Sequence, residues 1–142
     1  MTFPDRGAYR DFWRRHPAFA LPGAWTDDVA DYVDYDLAGE EPELRSRVAE
    51  AAVRADGRDL LDAGAVARAL AGVTAPAVLL RAPRGLLNEE RPFLPDEAVT
   101  AARAAAPGLA AEVVPDTNHY LIVLGEREAA TVAERVRALA AG

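Results

Sequence analysis

Apolar residues in the first half of the chain recur three and four positions apart, the period of one helix face. Ala8, Tyr9, Phe12 and Trp13 keep this spacing, Asp5 stands where an N-cap accepts backbone N–H groups, and Pro17 closes the segment. Pro17 and Pro22 make residues 17–23 a loop. Thr26 caps a second predicted helix. Asp27 and Asp28 occupy its first turn, where acids suit the positive end of the dipole, and Val29, Tyr32, Val33 and Leu37 share one face up to Gly39. The same period predicts a third helix over residues 43–55 that buries Leu44, Val48, Ala51 and Ala52. A short helical pair after Asp56 and Gly57 would cover Leu60, Leu61, Val66 and Leu70.

The pattern changes at Val73. Residues 77–82 form a continuous apolar run broken only by Arg81, the look of a strand covered on both faces of a parallel sheet. After a loop rich in Pro, Gly and acids, Pro95 opens a helix over Val99, Ala102 and Ala106 that Pro107 and Gly108 end. Residues 110–114 read as a second strand, 115–119 as a loop, and 126–140 as a closing helix with Val132, Val136 and Leu139 turned inward. Strand, helix, strand, helix is one right-handed crossover with a covering helix. The chain thus divides into a helical region, residues 1–72, and an α/β region, residues 73–142. Two parallel strands are too few for an independent covered sheet, so the second region has the pattern of the end of a larger one.

Composition narrows the function. With 142 residues, 51% hydrophobic and 27% charged, the chain has the profile of a globular domain large enough for a real core. The absence of Cys excludes a disulfide framework and thiolate chemistry. No apolar run approaches a bilayer span, and the N-terminus lacks a basic-then-apolar signal pattern, so a cytoplasmic location is expected. With 23 acidic against 16 basic residues, a net charge of -7, neither nucleic acid nor anionic membrane is an expected partner. Every basic residue is Arg, there is no Gln, and Ile122 is the sole Ile, which reads as the coding bias of a GC-rich genome.

Among candidate reactive groups, His119 stands out. It sits in Asp116-Thr117-Asn118-His119-Tyr120, a strand-to-helix loop of the kind that faces ligands in parallel sheets. The alternative is a loop histidine bonded to a backbone carbonyl, the only reading given to His16. The acidic stretch from Asp27 through Asp31, Asp34 and Asp36 to Glu43 lacks the spacing of a Ca²⁺ loop, so it is read as a solvated face, with no metal expected. Ser46, the single Ser, falls between two Arg in the predicted third helix and is expected at the surface.

The succession of residues 76–81, a loop and helix, then Ala111-Glu112-Val113-Val114-Pro115-Asp116-Thr117-Asn118-His119-Tyr120, then Gly125 and a closing helix, resembles the C-terminal end of an α/β-hydrolase. The resemblance implies a partial α/β-hydrolase fold: a helical cap or lid, then the last two parallel strands with their helices. It also implies a triad hydrolase without a cofactor, acting on an ester-like or related bond of a small-molecule substrate, in which His119 is the general base. Trp13, Trp25 and Tyr32 would line the cap above that substrate, or simply pack. The family's G-x-S-x-G nucleophile elbow has no counterpart in this sequence, so the chain is expected to be inactive by itself. Gly85 falls near the position where some members carry the triad acid. Glu89 and Glu90 follow in the same loop as the candidate acids, with Asp96 and Asp116 weaker, and other members carry the acid ahead of the cap. On this reading Met1 is internal to a longer frame or begins the product of a split or truncated gene. The alternatives are a non-catalytic helical module that binds a partner, either a missing N-terminal half or a second copy at the open sheet edge, and a gene remnant.

Overall fold

Side-chain caps decide where the helices of the first part begin. The computed structural model describes residues 1–141 and forms two compact units, Met1–Arg58 and Asp59–Gly142. In the first unit, helix α1 (Arg6–Arg14) starts where Asp5 Oδ1 accepts the Ala8 N–H at 2.8 Å. Helix α2 (Asp27–Asp36) starts where Thr26 Oγ1 accepts the Val29 N–H at 3.3 Å. The chain then passes into strand β1 (Leu37–Ala38), which pairs antiparallel with β2 (Arg45–Ser46). Gly39 turns it with φ +96°, where a Cβ would stand 3.0 Å from the Glu43 carbonyl oxygen. Phe3 joins the ladder, exchanging backbone hydrogen bonds of 2.7 and 3.0 Å with Leu44. Tyr9, Val33, Leu37 and Leu44 form the core of this unit, with Phe3, Trp13 and Trp25 packed on it.

Three expectations for this region are overturned. Residues 43–49 are not helical; α3 begins later, runs through Asp56 and Gly57, and spans Glu50–Leu61. Leu44 spends its backbone groups on Phe3, so its four-residue spacing from Val48 only imitates a helix face, and Val48 is exposed. The acidic stretch is also only partly solvated. Asp34 accepts from Arg6 at 2.5 Å and from Arg10 at 2.8 and 2.6 Å, and Asp36 accepts from the Tyr9 hydroxyl and from Ser46 Oγ at 3.0 Å. The Arg10 hydrogen bond, reinforced by Arg6, holds the Asp34 carboxyl below the ordinary carboxylate range against the opposing effect of burial. Ser46 is therefore half-buried and bonded, not a helix-surface residue.

In the second unit, α4 (Ala63–Ala71) is capped by Asp62, whose Oδ1 accepts the Ala65 N–H at 2.9 Å. Strand β3 (Val78–Arg81) pairs parallel with β4 (Ala110–Val113), in register from Val78 with Ala110 to Arg81 with Val113. The crossover is α5 (Asp96–Ala105), and it packs against α4, which the periodicity had grouped with the helical region. Beyond β4, a one-turn helix α6 (Leu121–Leu124) precedes α7 (Glu126–Ala140). Ala82, Val114 and Ile122 form the core, with Leu80 and Val132 against it.

This core covers less than the sequence implies. All four β3 residues are only half-buried, and Leu60, Leu61, Val136 and Leu139 are exposed. A two-stranded sheet has too few neighbours to bury both faces of a strand and the inner faces of the helices around it. An apolar groove of about 480 Å³ consequently opens between α4, β3 and α5, lined by Val66, Leu70, Val78, Leu79 and Val99 among others. Among the described residues no helix is long and apolar enough to cross a membrane.

Candidate functional site

At the carboxyl ends of parallel strands, loops leave the sheet side by side and ligands bind between them. Here the pairing continues past the strands: Val114 N–H donates to Arg81 O at 2.9 Å, and Arg84 forms a parallel bridge with Asn118. The loop after β3 and the loop after β4 are thereby held together, and His119 follows the bridge.

Asn118 builds the turn that presents His119. It is fully buried, and its Oδ1 accepts the N–H groups of both Tyr120 and Leu121 at 3.0 Å. Its Nδ2 donates to Asn88 Oδ1 at 3.5 Å, while Arg84 Nε donates to Asn88 O at 3.1 Å and to Oδ1 at 3.2 Å. The arrangement satisfies buried polar groups and the first N–H groups of α6 together. Asn88 and Asp116 adopt left-handed backbone, φ 60° and 56°, a conformation short polar side chains tolerate. The imidazole of His119 is half-buried, with the Phe93 ring 4.5 Å away and the Tyr120 ring at 6.4 Å. A half-exposed imidazole on an aromatic ring at a strand-end loop can bind a small ligand and exchange a proton with it.

The other candidates separate. Glu89 and Glu90 are both exposed; Glu89 folds back over Gly85, its Oε2 accepting the Leu87 N–H at 2.7 Å. Asp96 pairs with Arg81 and Asp116 with Arg127 at 3.5 Å. Within the first unit, Trp13 and Trp25 pack on the core and on Phe19, and Arg14 lies 4.6 Å over the Trp25 ring. Tyr32 is 43% exposed, away from that core. His16 accepts the Ala18 N–H at 3.2 Å through Nδ1, and burial pushes its pKa down. Asn118, Asn88, Arg84 and Phe93 escaped the sequence reading. The signal that was available is an Asn three residues before Leu121, the spacing at which a side chain caps a new helix.

No protein-family model matches the chain, and no curated protein matches it by sequence. Among solved structures, the crystal structure of E-2-(acetamidomethylene)succinate hydrolase is similar, with a TM-score of 0.68 and 19% sequence identity over 95% of this chain. The matched part is 46% of that chain, so the present chain spans about half its length. At this identity the likeness speaks to fold: helices with a small parallel sheet, in the arrangement of a partial α/β-hydrolase fold.

Proposed function

We propose that the chain is the cap and C-terminal part of an α/β-hydrolase-type hydrolase, with residues 1–72 as the cap and His119 as the general base. The observation that carries this reading is the presentation of His119, in a loop tied to the preceding strand's loop, at the carboxyl end of the last strand of a partial α/β-hydrolase fold. In such an enzyme the imidazole takes the proton of a nucleophile, the acyl group passes to that nucleophile, and water releases it. The substrate is a small molecule with an ester-like or related bond. The similarity to a hydrolase that acts on an acetamidomethylene succinate supports the general hydrolase kind. Because the sequence has no G-x-S-x-G elbow, the nucleophile comes from polypeptide outside these residues.

The test is hydrolysis of short activated esters by the chain alone, and by the chain together with the polypeptide that carries an elbow, encoded in frame upstream or beside it. The expected result is no turnover alone and turnover together, falling about 10²- to 10⁴-fold on His119→Ala. Turnover that survives His119→Ala overturns the base assignment, and turnover by the chain alone overturns the need for a second part.

A second reading, a non-catalytic partner-binding module, is favoured by the open side of β3 and the apolar groove beside it. Its partner would be the complementing half or a second copy of the chain. A monomer in solution with a well-dispersed amide spectrum and no dye-binding surface would count against it.

A further inference from the structure

We propose that Arg84 holds a carboxylate group of the small molecule that reacts at His119, so that the substrate class is carboxylate-bearing esters or related compounds. The proposal rests on the base assignment above and adds the residue that selects the substrate.

Burial without a counter-charge sets Arg84 apart from every other cation of the chain. Of the 16 Arg, only Arg10, Arg81, Arg84 and Arg135 are half-buried, and the rest are exposed. Three of these four meet a carboxylate: Arg10 that of Asp34, Arg81 that of Asp96 and Arg135 that of Glu112. Arg84 has no acidic partner among the described residues. The acids of the two adjoining loops are engaged or turned out: Glu89 Oε2 accepts the Leu87 N–H, Glu90 is exposed, and Asp116 pairs with Arg127. A guanidinium keeps its charge at every pH a protein meets, and removing it from water without a negative partner is costly. A ligand that brings the missing charge offsets that cost.

The guanidinium is also held ready. Its Nε donates to Asn88 O at 3.1 Å and to Asn88 Oδ1 at 3.2 Å, while Nη1 and Nη2 donate to none of the described residues. One edge of the fork is thus fixed and the other end is open, and a fixed fork loses little freedom when two carboxylate oxygens meet it.

Position links the fork to the base. Asn88 Oδ1 also accepts from Asn118 Nδ2 at 3.5 Å, Arg84 and Asn118 form the parallel bridge, and His119 is the next residue. Bridged segments lie about 4.8 Å apart and rise about 3.3 Å per residue, so the Cα atoms of Arg84 and His119 are about 6 Å apart. One small molecule can span both side chains. The chain's net charge of -7 repels anions in general, so a saturable anion site has to be local.

The measurement is a titration of the whole chain with glutarate, a small dicarboxylate, at one buffered pH. It is followed by NMR on the Arg84 Nε–H signal and the His119 ring signals, beside the neutral diamide of the same acid and sodium chloride at equal ionic strength. The expected result is a saturable shift of both sets of signals with glutarate only. The affinity is expected to fall about 10-fold or more in Arg84→Gln, and less in Arg84→Lys, which keeps the charge without the fork. Should Arg84→Gln lose amide dispersion, the wild-type comparison of glutarate, diamide and chloride decides. An equal response to all three, or binding that persists undiminished in a folded Arg84→Gln, overturns the site. A shift at Arg84 that leaves the His119 ring untouched, or one that needs the complementing polypeptide instead of glutarate, overturns its assignment to the substrate.

Turnover separates this proposal from the reading it rests on. In the complemented enzyme, an activated monoester of glutarate is expected to exceed its uncharged methyl-capped counterpart in kcat/KM, and Arg84→Gln to erase that preference through KM. An essential His119 with no preference to erase removes only Arg84. A preference that depends on Arg84 while His119 is dispensable removes the base and keeps the anion site.

Discussion

Tyr9 shows how one hydroxyl can be tied into a small core. Its side chain is 2% exposed, and its O–H donates to Asp36, which also accepts from Ser46. Burial first, then the Asp36 hydrogen bond, pushes the phenol up to about 12. The folded value is above the unfolded value of about 10, so this contribution to stability is complete below that pH and is lost as the pH rises through about 12. Tyr9→Phe is expected to cost about 1–3 kcal/mol at neutral pH, because Asp36 loses a buried donor, and to remove that alkaline loss. Urea melts of both proteins near neutrality and between the two pKa values check this. A variant whose stability still falls in parallel with wild type across the alkaline range would assign the loss to other groups.

Elements with local punctuation were legible in the sequence, and those defined by distant partners were not. Asp5 and Thr26 mark helix starts because side-chain capping is written within four residues, and Pro95 does so through its fixed φ, with no side-chain cap. Residues 78–81 and 110–113 read as strands because apolar runs bounded by Pro and Gly leave few other choices. The β1–β2 pair failed this test: Leu44 is fixed by Phe3 and Ser46 by Asp36, and neither partner is visible from the local pattern. The site divides the same way. The position of His119 after a strand was readable, whereas Asn118 and Phe93 acquire their roles from residues on the neighbouring loop. If capping does set α1, Asp5→Ala lowers stability by about 0.5–2 kcal/mol in thermal or urea unfolding. A change within error would mean that packing of Tyr9 and Trp13 alone defines the helix.

The molecule as a whole carries more apolar surface than its two cores use. The groove between α4, β3 and α5 is one contiguous part of this, and an exposed apolar patch of that kind promotes association and dye binding. Val66→Glu places a charge on its rim, where Val66 is already 38% exposed, so folding should change little while hydrophobic-dye fluorescence and any concentration-dependent mass both fall. Unchanged dye binding in that variant would locate the sticky surface elsewhere, for instance around Val136 and Leu139 on α7. The division of the chain within α3 has a consequence for proteolysis. With no Lys in the sequence, trypsin reads only Arg, and α3 offers Arg54 and Arg58 on a helix that buries none of its residues. Arg84 is half-buried with its Nε engaged, and Arg91 precedes Pro92, a bond trypsin passes over. A helix held by so few contacts opens locally long before a core does, so brief digestion should nick it first. The product to look for by mass is an intact piece starting at Asp59 that still holds the Asn118 turn and His119.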